Sequence, residues 1–242
     1  MLTPCFYLPT ILLPMEKTHL TETVEDYLQL IYTMQREGAP VIAARVKERK
    51  GVSAPTAWAT LKRMERDGLV HLGQGHRIEL TEEGQEKAES ILRRHMLAER
   101  LLVDILKMEW AEVHEEAHRV EHAISPVIER QILALLENPD TCPHGNPIPG
   151  LYDFGQEPPV PLRSVSEGDV VVINNIAEHA EDDYDLMQYL QRNTLMPKVR
   201  LHVDEVAVAN ATITVSMADE PDRKVVVGLA TSELIFVRPA NN

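Results

Sequence analysis

The sequence predicts an α+β chain of several domains: a winged helix-turn-helix, an all-helical unit, and a small all-β unit of barrel or sandwich type. Three observations carry that prediction. Two short helices flank a tight turn and lead into an alternating apolar segment built around glycines. Two long segments then repeat apolar residues at helical spacing. Beyond a proline-rich stretch the apolar pattern changes to period two.

Each element has a local reason. From Thr21 to Met34 the stretch containing TVEDYLQLIYTM puts Val24, Leu28, Ile31 and Tyr32 on one helical face, and EGAP breaks it. IAARVKERK is a second short helix ending at Gly51, a residue suited to the position after a helix end. In VSAPTAWATLKRMERDGLV, Ser53 can cap the helix and Pro55 sits in the first turn, where its missing N–H costs nothing. Gly68 ends that helix. LVHLGQGHRIELT is two short strands around a glycine-rich turn, a wing. Thr81 caps a long helix expected to run through Lys107, and a second is expected from Glu112 to Leu136. Leu92, Leu97, Leu101, Leu102 and Ile105 on the first, and Val120, Ile124, Val127 and Ile128 on the second, make faces too apolar to stand alone. Such faces pack on each other or on a second subunit. Prolines 139, 143, 147, 149, 158, 159 and 161 stiffen the chain at a boundary. DVVVINNI, KVRLHVDEV, TITVSM, KVVVGL and LIFV then read as five strands, with one helix near Tyr184 to Arg192 between them.

Of the 242 residues 44% are hydrophobic and 26% charged, a composition that folds rather than remaining disordered. Two cysteines, Cys5 and Cys142, cannot build a disulfide framework, so a reducing cytoplasm is expected. The apolar start MLTPCFYLPTILLP lacks a basic leader and is too short to span a bilayer. A mis-assigned start, with Met15 as initiator, explains it as well as a targeting role. The net charge of −14 argues against nucleic acid until it is mapped. Residues 41–77 carry Arg45, Lys47, Arg49, Lys50, Lys62, Arg63, Arg66 and Arg77 against Glu48, Glu65 and Asp67. A basic patch on an acidic chain is an electrostatic footprint for phosphate, because a phosphate backbone responds to nearby charge. Chance clustering on a solvated helix gives the same count.

VHEEAHRVEH raises a separate question. At about 100° per residue, with His114 at zero, His118 falls at about 40°, Glu121 at about −20° and His122 at about 80°. Imidazoles and a carboxylate on one face form a claw for divalent metal, and they also form an ordinary wet helix face.

The stretches PTAWATLKRMERDGLV, LTEEG, HMLAERLL, VHEEAHRVEHAIS and GNPIPG resemble the diphtheria toxin repressor family of iron- and manganese-dependent transcriptional regulators. The likeness runs from about Thr21 to Val237. It implies an SH3-like small β-barrel for the last domain. The implied divisions are 1–20, an unstructured or mis-assigned start; 21–84, DNA binding; 85–150, metal binding and dimerisation; 151–162, proline-rich linker; and 163–242, the SH3-like domain. The resemblance also implies a primary metal site of Asp26, His118, Glu121 and His122 and an ancillary site of His95, Glu99 and His114. Two ions per subunit, Mn²⁺ or Fe²⁺, are expected. His118 departs from the Cys of the iron branch and the Glu of the manganese branch, and Gln29 replaces a glutamate of the manganese branch. A donor set without sulfur suits Mn²⁺ or Fe²⁺ rather than Cu⁺ or thiolate-held Zn²⁺; the branch is mixed, leaning to manganese with iron close behind. Asp182 and Asp185 are further candidate ligands from the last domain.

For DNA the resemblance implies Ser53, Pro55, Thr56, Trp58, Ala59 and Thr60 on the recognition helix, with Arg63 and Arg66 near phosphates and His76 and Arg77 on the wing. Trp58 either stacks on a sugar or thymine methyl or is a half-buried core residue. The expected function is that of a cytoplasmic homodimer, not an enzyme and not bound to membrane. It would bind operator DNA and repress metal-uptake genes when metal is plentiful. The rival readings are a dinuclear metalloenzyme and a winged-helix regulator answering a small organic ligand.

Overall fold

The computed structural model describes residues 20–151 and 158–240. Residues 1–19 of the start expected to be unstructured or mis-assigned, and half of the linker expected over 151–162, lie outside those residues.

The first unit opens with α1 (Glu22–Arg36), α2 (Ala43–Arg49) and α3 (Ala54–Arg66). Ser53 caps α3 by accepting from the Thr56 N–H at 3.3 Å, as its side-chain chemistry dictates. Strands β1 (Val70–Leu72) and β2 (Ile78–Leu80) form the wing, pairing antiparallel with Val70 opposite Leu80. Tyr27, Leu28, Ile31, Leu61 and Met64 are fully buried and fill the space between α1, α3 and the wing.

Helix α4 (Glu82–Arg100), capped by Thr81 at the Gly84 N–H, runs from the wing into the second unit. It widens into a π turn at Leu101–Ile105, and Lys107 turns the chain away with φ 59°. The expected second long helix is broken. α5 (Val113–Val120) passes into a 3-10 turn at Glu121–Ala123, and α6 (Pro126–Leu135) starts afresh behind a new cap, Ser125. Proline cannot continue a helix and forces the residue before it out of the α region, so Ser125 is extended with ψ 163°.

The last unit contains β3 (Val160–Pro161), β4 (Val170–Ile176), α7 (Tyr184–Arg192), β5 (Arg200–Ala207), β6 (Thr212–Met217), β7 (Glu220–Gly228), α8 (Leu229–Ser232) and β8 (Ile235–Pro239). The strands make one antiparallel sheet in the order β3-β8-β4-β5-β6-β7. The SH3-like barrel expected from the sequence is not what forms, because among the described residues no sheet closes on itself. A barrel requires its outer strands to exchange hydrogen bonds. Here those strands are β7 and β3, and β3 offers only Val160 and Pro161, the second without an N–H. The sheet covers its own core, into which Trp110 and Ala111 of the helical unit also pack.

The segment GNPIPG holds the three units together. A Cβ on Gly145 would stand 2.1 Å from the Asn174 carbonyl oxygen, and its φ of +87° also excludes a side chain. That close approach lets the Asn146 amide reach the Ile176 carbonyl at 2.9 Å. Pro147 and Pro149 carbonyls accept from Arg36 of α1 and Arg93 of α4. Among the described residues no helix is long and apolar enough to cross a membrane.

Candidate metal centre

α1 and the α5–α6 junction bring Asp26, His118, Glu121 and His122 together, with one ligand atom of each within 4.8 Å of the others. Glu121 and His122 lie in the 3-10 turn and not on a continuous helix, yet they still converge with His118. His118 Nδ1 is 3.1 Å from Glu121 Oε1, and His122 Nε2 is 3.5 Å from both that oxygen and Asp26 Oδ1. His122 and Asp26 are held from behind. Glu25 Oε2 takes the Nδ1 side of His122 at 2.6 Å and leaves Nε2 facing the cluster. Lys50 Nζ takes Asp26 Oδ2 at 3.0 Å and leaves Oδ1 inward. Asp26 Oδ1 and Glu121 Oε1 are then buried acceptors with no hydrogen-bond donor. Such atoms are costly unless a cation completes them.

A second cluster joins His95, Glu99, His114 and Glu181, again within 4.8 Å. His114 Nδ1 is 3.1 Å from Glu99 Oε1 and 3.1 Å from Glu181 Oε2, while His95 Nε2 is 3.2 Å from Glu99 Oε1. Glu121 links the clusters, because its other oxygen meets His95 Nδ1 at 2.5 Å. A third group, Glu99, Cys142 and His144, shares Glu99 and is wholly buried. The Trp110 carbonyl holds His144 Nε2 at 3.1 Å, so Nδ1 turns toward Glu99 and Glu181 and has no hydrogen-bond partner.

Electrostatics follow from this crowding. Burial pushes the Glu121 carboxyl up, but the His118 and His95 rings outweigh it and bring it down to about 2. Burial likewise opposes protonation of His95, yet Glu99 and Glu121 raise it to about 9. His114 and His144 are also raised well above the usual imidazole range against their burial, by the carboxylates facing them. Burial, reinforced by Glu99 and Glu181, pushes the Cys142 thiol up to about 12. Without metal, shared protons balance the charge; a divalent ion would have to displace them.

The structure therefore gathers every residue of the two expected sites. Of the further candidates, Asp182 meets His114 Nε2 at 3.3 Å, whereas Asp185 is exposed on the first turn of α7, outside the metal-ligating groups. Sequence reasoning missed Glu181, Cys142 and His144. The available signal was Cys-x-His directly ahead of GNPIPG, and Asn146 of that motif donates to Glu181 Oε1 at 2.7 Å, leaving Oε2 for the cluster. The two expected clusters contain no sulfur; Cys142 stands in the third group, which shares Glu99 with the second. A cavity of 190 Å³ between the three units opens beside the first cluster, lined by Asp26, Gln29, Thr33, Lys50, His118 and Glu178 among others.

On the recognition helix Ser53, Pro55, Thr56 and Ala59 are exposed, and Thr60 is half-buried. Trp58 is half-buried against the winged-helix core. Its ring meets the wing residue His76 edge-on at 5.2 Å and lies under the Lys62 ammonium at 5.1 Å. Arg63 and Arg66 are exposed at the far end of α3; Arg63 donates to Thr21 Oγ1 at 2.7 Å, and Arg66 pairs with Asp67 at 3.1 Å.

Comparison with known proteins matches residues 19–75 to the family described as iron dependent repressor, N-terminal DNA binding domain. Residues 81–150 match iron dependent repressor, metal binding and dimerisation domain. The chain is 40% identical over 206 residues to the iron-dependent repressor IdeR of Mycobacterium leprae (strain TN), covering 81% of this chain and 90% of that one. To the diphtheria toxin repressor of Corynebacterium diphtheriae (strain ATCC 700971) it is 43% identical over 136 residues, 56% of this chain and 60% of the relative. Among solved structures it is similar to a manganese-dependent transcriptional repressor in complex with manganese. That match has a TM-score of 0.79 and 31% identity over 90% of this chain and 100% of the other. The manganese regulator SloR matches with a TM-score of 0.71 and 27% identity, over 90% and 98%. On the extent of these matches, the chain belongs to the iron-dependent repressor family, the family of the diphtheria toxin repressor.

Proposed function

We propose that this chain is a homodimeric, divalent-metal-dependent DNA-binding repressor of metal-uptake genes, acting when metal is plentiful. The observation that carries this reading is the meeting of Asp26, from the first helix of the winged unit, with His118, Glu121 and His122 of the helical unit around two buried carboxylate oxygens that lack a hydrogen-bond donor. These four residues would hold one ion. His95, Glu99 and His114, joined by Glu181, would hold a second. The first donor set is oxygen and imidazole only and suits Mn²⁺ or Fe²⁺, the metals in the relatives' names. A bound ion supplies positive charge where carboxylates of two units face each other. The chain does the rest: Glu25 orients His122, Lys50 orients Asp26, and the winged unit is thereby fixed against the helical one. Moving a regulator from mostly inactive to mostly active takes roughly 5 kcal/mol of differential binding.

The domain divisions expected from the sequence are part of this reading. Val120, Val127, Ile128 and Leu135 are exposed apolar residues on and beside α6, which a second copy would cover. Ser53, Pro55, Thr56, Trp58, Ala59 and Thr60 would face the groove, with Arg63, Arg66 and Arg77 on phosphates. The test is a titration of metal-free protein with Mn²⁺, Fe²⁺ and Zn²⁺ against a duplex selected from random-sequence DNA by the Mn²⁺-loaded chain. DNA binding is expected only with metal, and His122→Ala should lower the Mn²⁺-dependent affinity at least ~10-fold. Undiminished binding in excess chelator sinks the reading.

A further inference from the structure

Trp58 is a bulky ring among small residues. Pro55, Thr56 and Ala59 of the recognition helix are exposed, and Trp58 is half-buried beside them. At about 100° per residue it stands roughly 90° round α3 from the buried line of Ala57, Leu61 and Met64. It therefore flanks the core without standing at its centre, and it meets the wing. Its ring lies 5.2 Å from that of His76, with the planes at 89°. The wing is a short ribbon, paired only from Val70 opposite Leu80 to Leu72 opposite Ile78. A two-stranded ribbon is marginal by itself. Its second strand is bridged at Arg77 to Ile42, but the tip, residues 73–76, lies beyond the ladder. There Gly75 and His76 turn the chain with φ of 68° and 58°. At the base of the ribbon the Leu72 N–H donates to Glu65 Oε1 of α3 at 3.3 Å, and Glu65 Oε2 takes the Lys62 ammonium at 2.9 Å. The same ammonium lies 5.1 Å from the centre of the Trp58 ring. Glu65, Lys62 and Trp58 thus run as one brace along α3, joined to the wing at Leu72 and again at His76.

We propose that Trp58 is a positioning residue that pins the wing tip to the recognition helix through His76, so that the DNA flanking the helix's groove is read as part of the same site. This rests on the function proposed above and adds to it what sets the wing. A loose tip samples many positions over the backbone and favours no flanking sequence. A tip held at one distance from α3 fits only DNA whose backbone lies at that distance, and groove width and backbone path depend on sequence even where no base is touched. Perpendicular ring contacts are directional, so the pair fixes the orientation of the tip as well as its distance. Lys62 is held by Glu65 against the indole, which keeps the ring from swinging toward solvent.

The experiment uses the full chain as wild type, Trp58→Ser, Trp58→Phe, His76→Asn and the Trp58→Ser/His76→Asn double variant. Asparagine tolerates the positive φ of residue 76 while removing its ring. Affinity is measured for the duplex selected by the Mn²⁺-loaded wild type, and for the same duplex with the outermost base pairs of its hydroxyl-radical footprint scrambled. Amide hydrogen exchange at residues 73–77 is followed in the Mn²⁺-loaded chain without DNA. The wild type should prefer the unscrambled duplex about tenfold. Trp58→Ser and His76→Asn should lose that preference, Trp58→Phe should keep it, and the double variant should be no worse than either single one. Exchange at 73–77 should be about fivefold faster in Trp58→Ser and His76→Asn and unchanged in Trp58→Phe. Mn²⁺ binding without DNA should match the wild type throughout, which shows that the winged unit carrying Asp26 is folded. If Trp58→Ser does not fold, His76→Asn, an exposed position, carries the test alone. A wild type indifferent to the flanks, additive losses in the double variant, or equal loss on both duplexes with wing exchange unchanged would each overturn it, the last showing that the indole touches DNA itself. If the wild type binds DNA without metal, the proposed function fails, while flank preference and wing exchange still judge the brace.

Discussion

Cys142 is the residue that most changes the chemistry expected of this site. Its thiol is buried 1% exposed beside Glu99 and His144, and burial raises it to about 12, so it waits as the neutral form. A thiophilic ion would displace that proton, and Mn²⁺ gains least from a soft ligand. Cys142→Ser should therefore lower Zn²⁺ affinity at the second cluster by at least ~10-fold while changing Mn²⁺ affinity much less. Competitive titration against a chromophoric chelator checks it, and equal losses for both ions would show that sulfur is not a ligand. The same residue marks how far the sequence is legible. His114, His118, Glu121 and His122 were readable because one or two helical turns place them together whatever the rest of the chain does. Asp26, His95 and Glu99 required the resemblance. Glu181 and His144 reach the site only through tertiary packing, from a loop and from an irregular stretch, where no periodicity records direction.

Caps and breakers governed the elements wherever they were weighed. Ser53 and Thr81 cap as their side chains predict. Ser125-Pro126 breaks the helix expected through it by the same rule, and the expectation failed because apolar periodicity was allowed to outweigh a proline. Strand β3 hid inside a proline-rich stretch, and closure of a sheet is a relation between distant strands that local alternation does not encode. The GNPIPG segment shows an element whose backbone is the functional part. Gly145→Ala would bring a methyl group onto the Asn174 carbonyl and force a side chain into φ +87°. It should destabilise the chain by about 3 kcal/mol and displace Asn146 from Glu181. Chemical denaturation gives the first quantity and Mn²⁺ stoichiometry the second; full stability with two ions bound would mean the loop yields without cost.

Across the whole molecule, the clusters sit where three units meet, so their charge state is a term in the stability of the whole assembly. His95 is raised from an ordinary 6.5 to about 9, and His114 and His144 are raised as well. A group whose folded value lies above its unfolded one stabilises the fold fully below the unfolded value and loses that contribution as pH rises through the folded value. The metal-free chain should therefore lose stability between about pH 6.5 and 9, the window set by His95. Glu121, lowered to about 2, acts at the other end: its contribution is complete at neutral pH and is lost only as pH falls below the ordinary carboxylate range. A divalent ion replaces the imidazole protons and removes the alkaline loss. The rise in melting temperature on adding saturating Mn²⁺ should thus be larger at pH 8.5 than at pH 6.5, under anaerobic conditions that keep the ion reduced. Because proton and metal compete for the same nitrogens, calorimetric titration in buffers of different ionisation enthalpy should also show protons released on binding. A melting shift that shrinks as pH rises, with no proton release, would mean that the imidazoles are not where the metal binds.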